Sequence, residues 1–240
     1  MSPTTPRKDG RPYDAMRPVH FTRHYLKTAP GSVLTRFGDT MVLCTATLSD
    51  RLPAWLKGSG QGWVTAEYAM LPASTADRVG RDNSQKGRAQ EISRMIGRAP
   101  RAVTKLDALG ECLVTVDCDV LQADGGTRTA AISGGWLALH DALADAVVRG
   151  FLRSIPLTGH CAAVSVGLVD DRLMLDLDYG EDARAEVDLN VCGNEQGALI
   201  EVQGCAEGRM FSRQGLNSML DLACAGISRI IAVQKEALHD

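Results

Sequence analysis

Cys112 to Leu121 constrains this chain more than any other stretch, because its residues alternate strictly and it runs into two glycines. Cys112, Val114, Val116, Cys118 and Val120 fall on one side of an extended backbone, and Leu113, Thr115, Asp117, Asp119 and Leu121 on the other. That alternation marks a strand. The next residues, Gln122-Ala123-Asp124-Gly125-Gly126-Thr127-Arg128-Thr129, open a helix expected from about Thr127 to Arg149. Ile132, Trp136, Leu139, Leu143 and Val147 give that helix an apolar stripe. Two glycines let the backbone turn and leave its N–H groups uncovered. A helix N-terminus carries unpaired donors and a partial positive charge, which suits an anion. Thr127 adds a hydroxyl, and Arg128 a planar fork that matches phosphate oxygens. The junction is either a phosphate site or a Gly-rich turn with Thr127 as helix cap and Arg128 in solvent. It is not a P-loop, since no Gly-Lys-Ser/Thr follows the glycines.

The chain before this junction begins with an extended, Pro-interrupted lead-in through Gly10-Arg11-Pro12 and Arg17-Pro18-Val19. Strands are expected from Gly31 to Phe37, Thr40 to Leu48 and Trp63 to Leu71, the first two joined by a hairpin at Gly38-Asp39. A polar loop over 72–87 carries Arg78, Arg81 and Lys86. A helix from about Gly87 to Ala99 points Ala89, Ile92, Met95, Ile96 and Ala99 inward. Pro100 is expected to end or kink it, with a further turn through Leu106. Arg88, Glu91, Arg94, Arg98 and Arg101 share its opposite face. The first half, residues 1–151, is thus ordered three strands, helix, strand, helix. The second, residues 152–240, has four strands, Ala162 to Val169, Arg172 to Leu177, Ala185 to Val191 and Ala198 to Gln203, and a last helix capped by Ser212 and ending near Leu238.

The seven cysteines include no Cys-x-x-Cys pair, which argues against zinc or a disulfide framework and for buried free thiols in a reducing cytoplasm. Met1 to Gly10 is polar and unlike a secretory signal. No apolar run is expected to cross a bilayer. A net charge of −3 argues against a globally basic nucleic-acid binder, but the charge is uneven. Arg78 to Lys105 holds eight basic and two acidic residues, and Asp170 to Asp188 eight acidic and two basic. The first block is either an ordinary solvated face or an RNA or partner surface. His140, beside the apolar stripe, is given no role.

The acidic block centres on Asp176 to Asp188. In a strand through Asp188, Glu186, Asp188 and Asn190 share one face. Carboxylates beside an arginine-lined phosphate site bind a hard cation or transfer a proton. A straight strand would hold Asp182 and Asp188 roughly 20 Å apart at about 3.3 Å per residue, so they share a site only if the chain bends. Spacing alone favours a solvated acidic face.

Several motifs resemble the bacterial ribonuclease PH family, in that family's order. They are Gly62-Trp63-Val64-Thr65-Ala66-Glu67-Tyr68 with Met70-Leu71-Pro72, Ile96-Gly97-Arg98, and Asp117 through Thr129, followed by Glu181-Asp182, Glu186-Val187-Asp188-Leu189-Asn190-Val191 and Glu201-Val202-Gln203-Gly204. The resemblance extends from about Gly10 to the C-terminus. It implies an α/β (α+β) two-layer sandwich, with a β3-α-β-α first half like the second domain of a small-subunit ribosomal protein and a β4-α second half. It implies a phosphorolytic 3′-to-5′ exoribonuclease that trims tRNA precursors with inorganic phosphate and releases nucleoside diphosphates, working as a homohexamer built as a trimer of dimers. By resemblance, phosphate falls to Arg88, Gly126, Thr127 and Arg128, and catalysis and Mg²⁺ to Asp182 and Asp188. RNA binding is expected at Arg78, Arg81, Arg94 and Arg98. The chain departs from the family pattern in a slightly shorter 73–87 loop with Ala73 where an arginine often stands, in Ala89-Gln90, and in Cys192-Gly193. Two other classes remain: a ring-forming RNA-binding scaffold without activity, and a small-molecule phosphotransferase, for which no nucleotide-binding glycine motif is present.

Overall fold

The computed structural model describes residues 7–82 and 87–239. Lys86 of the basic loop and residues 1–6 of the polar N-terminus lie outside the described residues. The first sheet contains Val19–Arg23 (β1), Gly31–Phe37 (β2), Thr40–Ser49 (β3), Trp63–Met70 (β4) and Leu113–Gln122 (β5), in the order β1-β2-β3-β5-β4. Neighbours are antiparallel except β4 and β5, which run parallel and are connected through Gly87–Ala102 (α1) and Leu106–Leu109 (α2). Interior β5 buries Val114, Val116, Cys118 and Val120 completely or nearly so. Each buried valine contributes about 1.5–3 kcal/mol. A slip of one residue would exchange them for Thr115, Asp117 and Asp119, so the register is tightly specified.

Thr127–Val148 (α3) leads from β5 into the second sheet, made of Cys161–Val169 (β6), Arg172–Leu175 (β7), Val187–Asn194 (β8) and Leu199–Ala206 (β9). Its order is β7-β6-β8-β9, antiparallel throughout. Tyr179–Asp182 (α4) is a single turn between β7 and β8, and Arg213–His239 (α5) closes the chain. The three long helices, α1, α3 and α5, each touch both sheets, and one continuous buried cluster joins the two halves. α3 is buried on nearly every face, which its Ala and Gly content makes sterically possible. A Cβ on Gly134 would lie 1.8 Å from the Thr35 hydroxyl, so only glycine lets α3 approach β2 this closely. Gln234 of α5 donates to the carbonyls of Ser133 (2.9 Å) and Cys161 (3.0 Å), tying α5 to α3 and β6.

The α/β sandwich of the sequence reading is present, with local corrections. The lead-in contains a strand, β1, masked in the sequence by Pro18 directly before it, where a proline removes no ladder bond. α1 runs through Pro100 to Ala102: the proline gives up one helix bond, and the last turn is closed beyond it by the Val103 and Thr104 amides, which donate to the Pro100 and Arg101 carbonyls (3.2 Å each). Thr127 is not the helix cap: Gly126 is, in the left-handed conformation (φ 64°), with no side-chain bond. β7 stops at Leu175 rather than Leu177, and β8 starts at Val187 rather than Ala185. Among the described residues one apolar helix, α5, is long enough by length and composition to cross a membrane, contrary to expectation. Here its Met219, Ala223, Ile227 and Ile230 face the protein core. The seven cysteines are free, four of them buried in the sheets and Cys205 exposed.

Candidate active site

The β5–α3 junction borders a cavity of about 700 Å³. Gly125 (φ 72°) and Gly126 (φ 64°) both adopt backbone angles that L side chains disfavour. At Gly125 a Cβ would also lie 2.5 Å from the Leu177 carbonyl, so this glycine serves both the turn and the docking of the second half. Thr40 on β3 braces the loop: its hydroxyl accepts from the Asp124 amide (3.0 Å) and donates to the Gly125 carbonyl (2.6 Å). Thr127 shares a hydrogen bond of 2.8 Å with the Tyr68 hydroxyl from β4. Arg128 is not loose in solvent. It donates to Gln203 Oε1 on β9 (3.0 Å), while the Gln203 amide nitrogen donates to Glu91 on α1. Arg88, in the first turn of α1, lines the same cavity.

The opposite wall is the acidic arm, and the solvated-face reading of it fails because the chain bends. The bend begins at Asp176, a fully buried non-glycine residue with φ of 56°. Arg17 holds it there. The guanidinium donates to both Asp176 carboxylate oxygens (2.7 and 3.0 Å), and the Arg17 amide donates to one of them as well (2.8 Å). The same guanidinium donates to the carbonyls of Asp124 and Gly125, so one side chain bonds the anion loop and the acidic arm together. Asp178 then caps α4: its side chain accepts from the Glu181 amide (2.8 Å) and Glu181 accepts from the Asp178 amide (3.1 Å). Fully buried Arg7 forks onto Glu181 at 2.8 and 2.7 Å and donates to the carbonyls of Leu175 and Asp176. The lead-in arginines were invisible as site residues in the sequence, where they look like lone charges among prolines. Only the fold shows their carboxylate partners, more than 150 positions away.

Asp182, at the end of α4, and Asp188, on β8, both line the cavity. Asn190 donates to one oxygen of Asp188 (3.2 Å); the other oxygen is buried without a partner. Burial, and secondarily the charge of Asp182, push the Asp188 carboxyl up to about 6, against Arg128 and the Asn190 bond. The Asp182 side chain opens into the cleft, and the surrounding wall raises its carboxyl too, against Arg128, Arg88 and Arg17. The arrangement therefore offers uncovered backbone donors and two arginines on one side, and two carboxylates on the other, with the charge of Asp182 felt at Asp188. It can hold an anion, and a proton or a cation can balance the carboxylates. Among the described residues no group of three or more His, Cys, Asp or Glu could hold a metal ion.

The remaining basic residues lie elsewhere. Arg78 and Arg81 are exposed on the loop before α1 and do not line the cavity, although Thr75 of that loop does. Arg94, Arg98 and Arg101 border a second cleft of about 710 Å³ with Trp63. There Arg98 is paired with Glu201 and Arg101 lies 4.0 Å over the Trp63 ring. His140 packs against Trp136 and pairs with Asp141, remote from the cavity residues in its contacts.

The 3′ exoribonuclease family model for domain 1 matches residues 15–145, and that for domain 2 matches residues 160–226. Ribonuclease PH of Moorella thermoacetica is 53% identical over 237 residues, which cover 98% of this chain and 95% of that one. The crystal structure of rice (Oryza sativa) Rrp46 superposes with a TM-score of 0.76 at 20% identity, covering 97% of this chain and 100% of that chain. The Archaeoglobus fulgidus exosome with RNA bound to the active site gives a TM-score of 0.79 at 20% identity, covering 94% and 91%. At these identities the two structures speak for the fold alone.

Proposed function

The chain belongs to the 3′ exoribonuclease family, and we infer from that membership and from the cleft that it is a phosphorolytic 3′-to-5′ exoribonuclease. The observation that carries the reading is one of assembly. Arg88, Gly126, Thr127 and Arg128 come from the first half, Asp182 and Asp188 from the second, and all six line a single cavity. Inorganic phosphate, the co-substrate, sits on the N–H groups at the start of α3 with Arg128 and Arg88 around it. One phosphate oxygen attacks the phosphorus of the last phosphodiester. The bond from that phosphorus to the 3′ oxygen of the preceding nucleotide breaks, the 3′ oxygen takes a proton, and a nucleoside diphosphate leaves. The arginines and the helix end stabilise the charge that gathers on the phosphoryl oxygens.

Asp182 and Asp188 would hold Mg²⁺, or one of them supplies the proton to the leaving 3′ oxygen. The residues fit the ion: two adjacent carboxylates, one with a buried oxygen lacking a partner, suit a cation that uses one or two carboxylates beside waters and substrate phosphates. When bound, Mg²⁺ would supply positive charge to the reacting phosphate oxygens. The scaffold alternative would not need the two cavity carboxylates and the two cavity arginines, and their retention argues against it.

The finer reading takes tRNA precursors as the substrate, the cytoplasm as the place of work, Arg78, Arg81, Arg94 and Arg98 as RNA contacts, and a homohexamer as the assembly. Exposed Val148 and Phe151, at the end of α3, support self-association. The test of function is to incubate a short RNA with and without phosphate and identify the product. Phosphate-dependent shortening with release of nucleoside diphosphates is expected; monophosphates, or shortening that ignores phosphate, would refute the reading.

A further inference from the structure

We propose that Tyr179 is the stacking platform for the base of the 3′-terminal nucleotide, an inference that rests on the exoribonuclease reading of the cavity. Tyr179 is 67% exposed and lines the cavity. Among the exposed large hydrophobic side chains of the described residues, no other lines it. Most of its surface is therefore open to whatever enters the cavity. The other cavity tyrosine, Tyr68, is buried, and its hydroxyl is bonded to Thr127.

The backbone of Tyr179 is held where the carboxylate arm begins its single helical turn. It begins α4, three residues before Asp182, and its carbonyl accepts from the Ala183 amide (3.0 Å). Its amide donates to Asp124 of the anion loop (3.3 Å), and a Cβ on Gly125 would lie 2.6 Å from the Asp178 carbonyl carbon and 2.8 Å from the Tyr179 amide nitrogen, so the two backbones pass close together. The ring is therefore rooted at the seam where the anion loop meets the carboxylate arm. A nucleotide whose phosphorus lies between those two walls must send its base out of the charged zone. The cavity wall also carries uncharged residues, among them Met70 at the end of β4, Ala123 beside the anion loop, and Tyr179. A ring face accepts any of the four bases, because every base has a π face. That suits an enzyme that removes successive nucleotides of differing identity.

The test compares a short RNA ending in an ordinary nucleotide with the same RNA ending in an abasic ribonucleotide. Shortening by the wild type, Tyr179→Phe and Tyr179→Ala proteins is followed at saturating phosphate, and thermal melting checks each fold. Base–aromatic stacking predicts that the wild type prefers the base-bearing end by about 5-fold to about 150-fold in kcat/KM. Tyr179→Phe should keep that preference. In Tyr179→Ala it should collapse toward one, through a rise in KM on the base-bearing RNA. A wild type without preference, or a Tyr179→Ala protein that keeps it, would overturn the platform. Equal losses by Tyr179→Ala on both substrates would also overturn it, since that would mark a structural role. The exoribonuclease reading fails separately: in that case the wild type would shorten neither RNA in response to phosphate.

Discussion

Replacing Arg17 by methionine should destabilise this protein more than any exposed substitution in the cleft, and its partner site offers a way to reverse the loss. Methionine keeps most of the stem volume but removes every guanidinium bond. Asp176, fully buried, would keep only the Arg17 amide (2.8 Å) of its three contacts with that residue, and the Asp124 and Gly125 carbonyls would lose a donor. Removing one partner of a buried ion pair costs about 3–5 kcal/mol, because a charge is left uncompensated. At about 2–4 °C per kcal/mol for a chain of this size, the melting temperature should fall by roughly 6–20 °C. Against a typical total of about 5–15 kcal/mol, that is a large part of the margin. Adding Asp176→Asn removes the stranded charge, and Asn tolerates the left-handed φ of 56° at that position. The double variant should recover most of the melting temperature. Its KM for phosphate should stay several-fold raised, because the anion loop has still lost its tie to the acidic arm. The assays are thermal unfolding at pH 7 and phosphate-dependent shortening of a short RNA. A single variant melting within about 3 °C of wild type, or a double variant that recovers nothing, would refute the reasoning.

Arg128→Ala should nearly abolish phosphorolysis at limiting phosphate while melting close to wild type, since it removes a charge-assisted fork at the cavity whose bond within the described residues is to Gln203; equal rates would exclude the anion site. Asp188→Asn should lower kcat far more than RNA affinity, because an amide supplies neither the negative charge nor the titrating proton. Its stability should also change with pH. The Asp188 carboxyl in the fold lies at about 6, above its unfolded value, so its favourable contribution is present below about pH 4 and lost as pH rises through 6. The amide variant should therefore melt no lower than wild type at pH 8 and lose that advantage at pH 4; a lower melting point at pH 8 would contradict this. Neutralising Arg78 and Arg81 together should weaken tRNA binding and flatten its salt dependence, while sparing cleavage of an oligonucleotide too short to reach the loop; wild-type processing of long precursors would remove that role.

The division between what was legible in the sequence and what was not follows the range of the forces involved. The strict alternation of Cys112 to Leu121 marked β5 and its buried face, because a strand's side-chain period is local. The glycines before Thr127 marked the helix start for the same reason: backbone freedom is a property of the residue itself. The motif residues Arg88, Gly126, Thr127, Arg128, Asp182 and Asp188 were all placed from the sequence by family resemblance. Their meeting in one cavity was not derivable from spacing, which put the two aspartates roughly 20 Å apart on a straight strand. The bend that corrects this depends on Arg7 with Glu181 and Arg17 with Asp176, pairs that are meaningless until the second half folds against the lead-in. The same holds for Gln203, an ordinary polar residue on an edge strand until β9 meets α1 and its amide fixes Arg128 between Glu91 and the cavity. Local periodicity and backbone chemistry made the elements readable. The charged contacts that aim the catalytic groups act across 75 to 174 residues of chain, and only tertiary packing, by excluding water around them, gives them their partners and their strength.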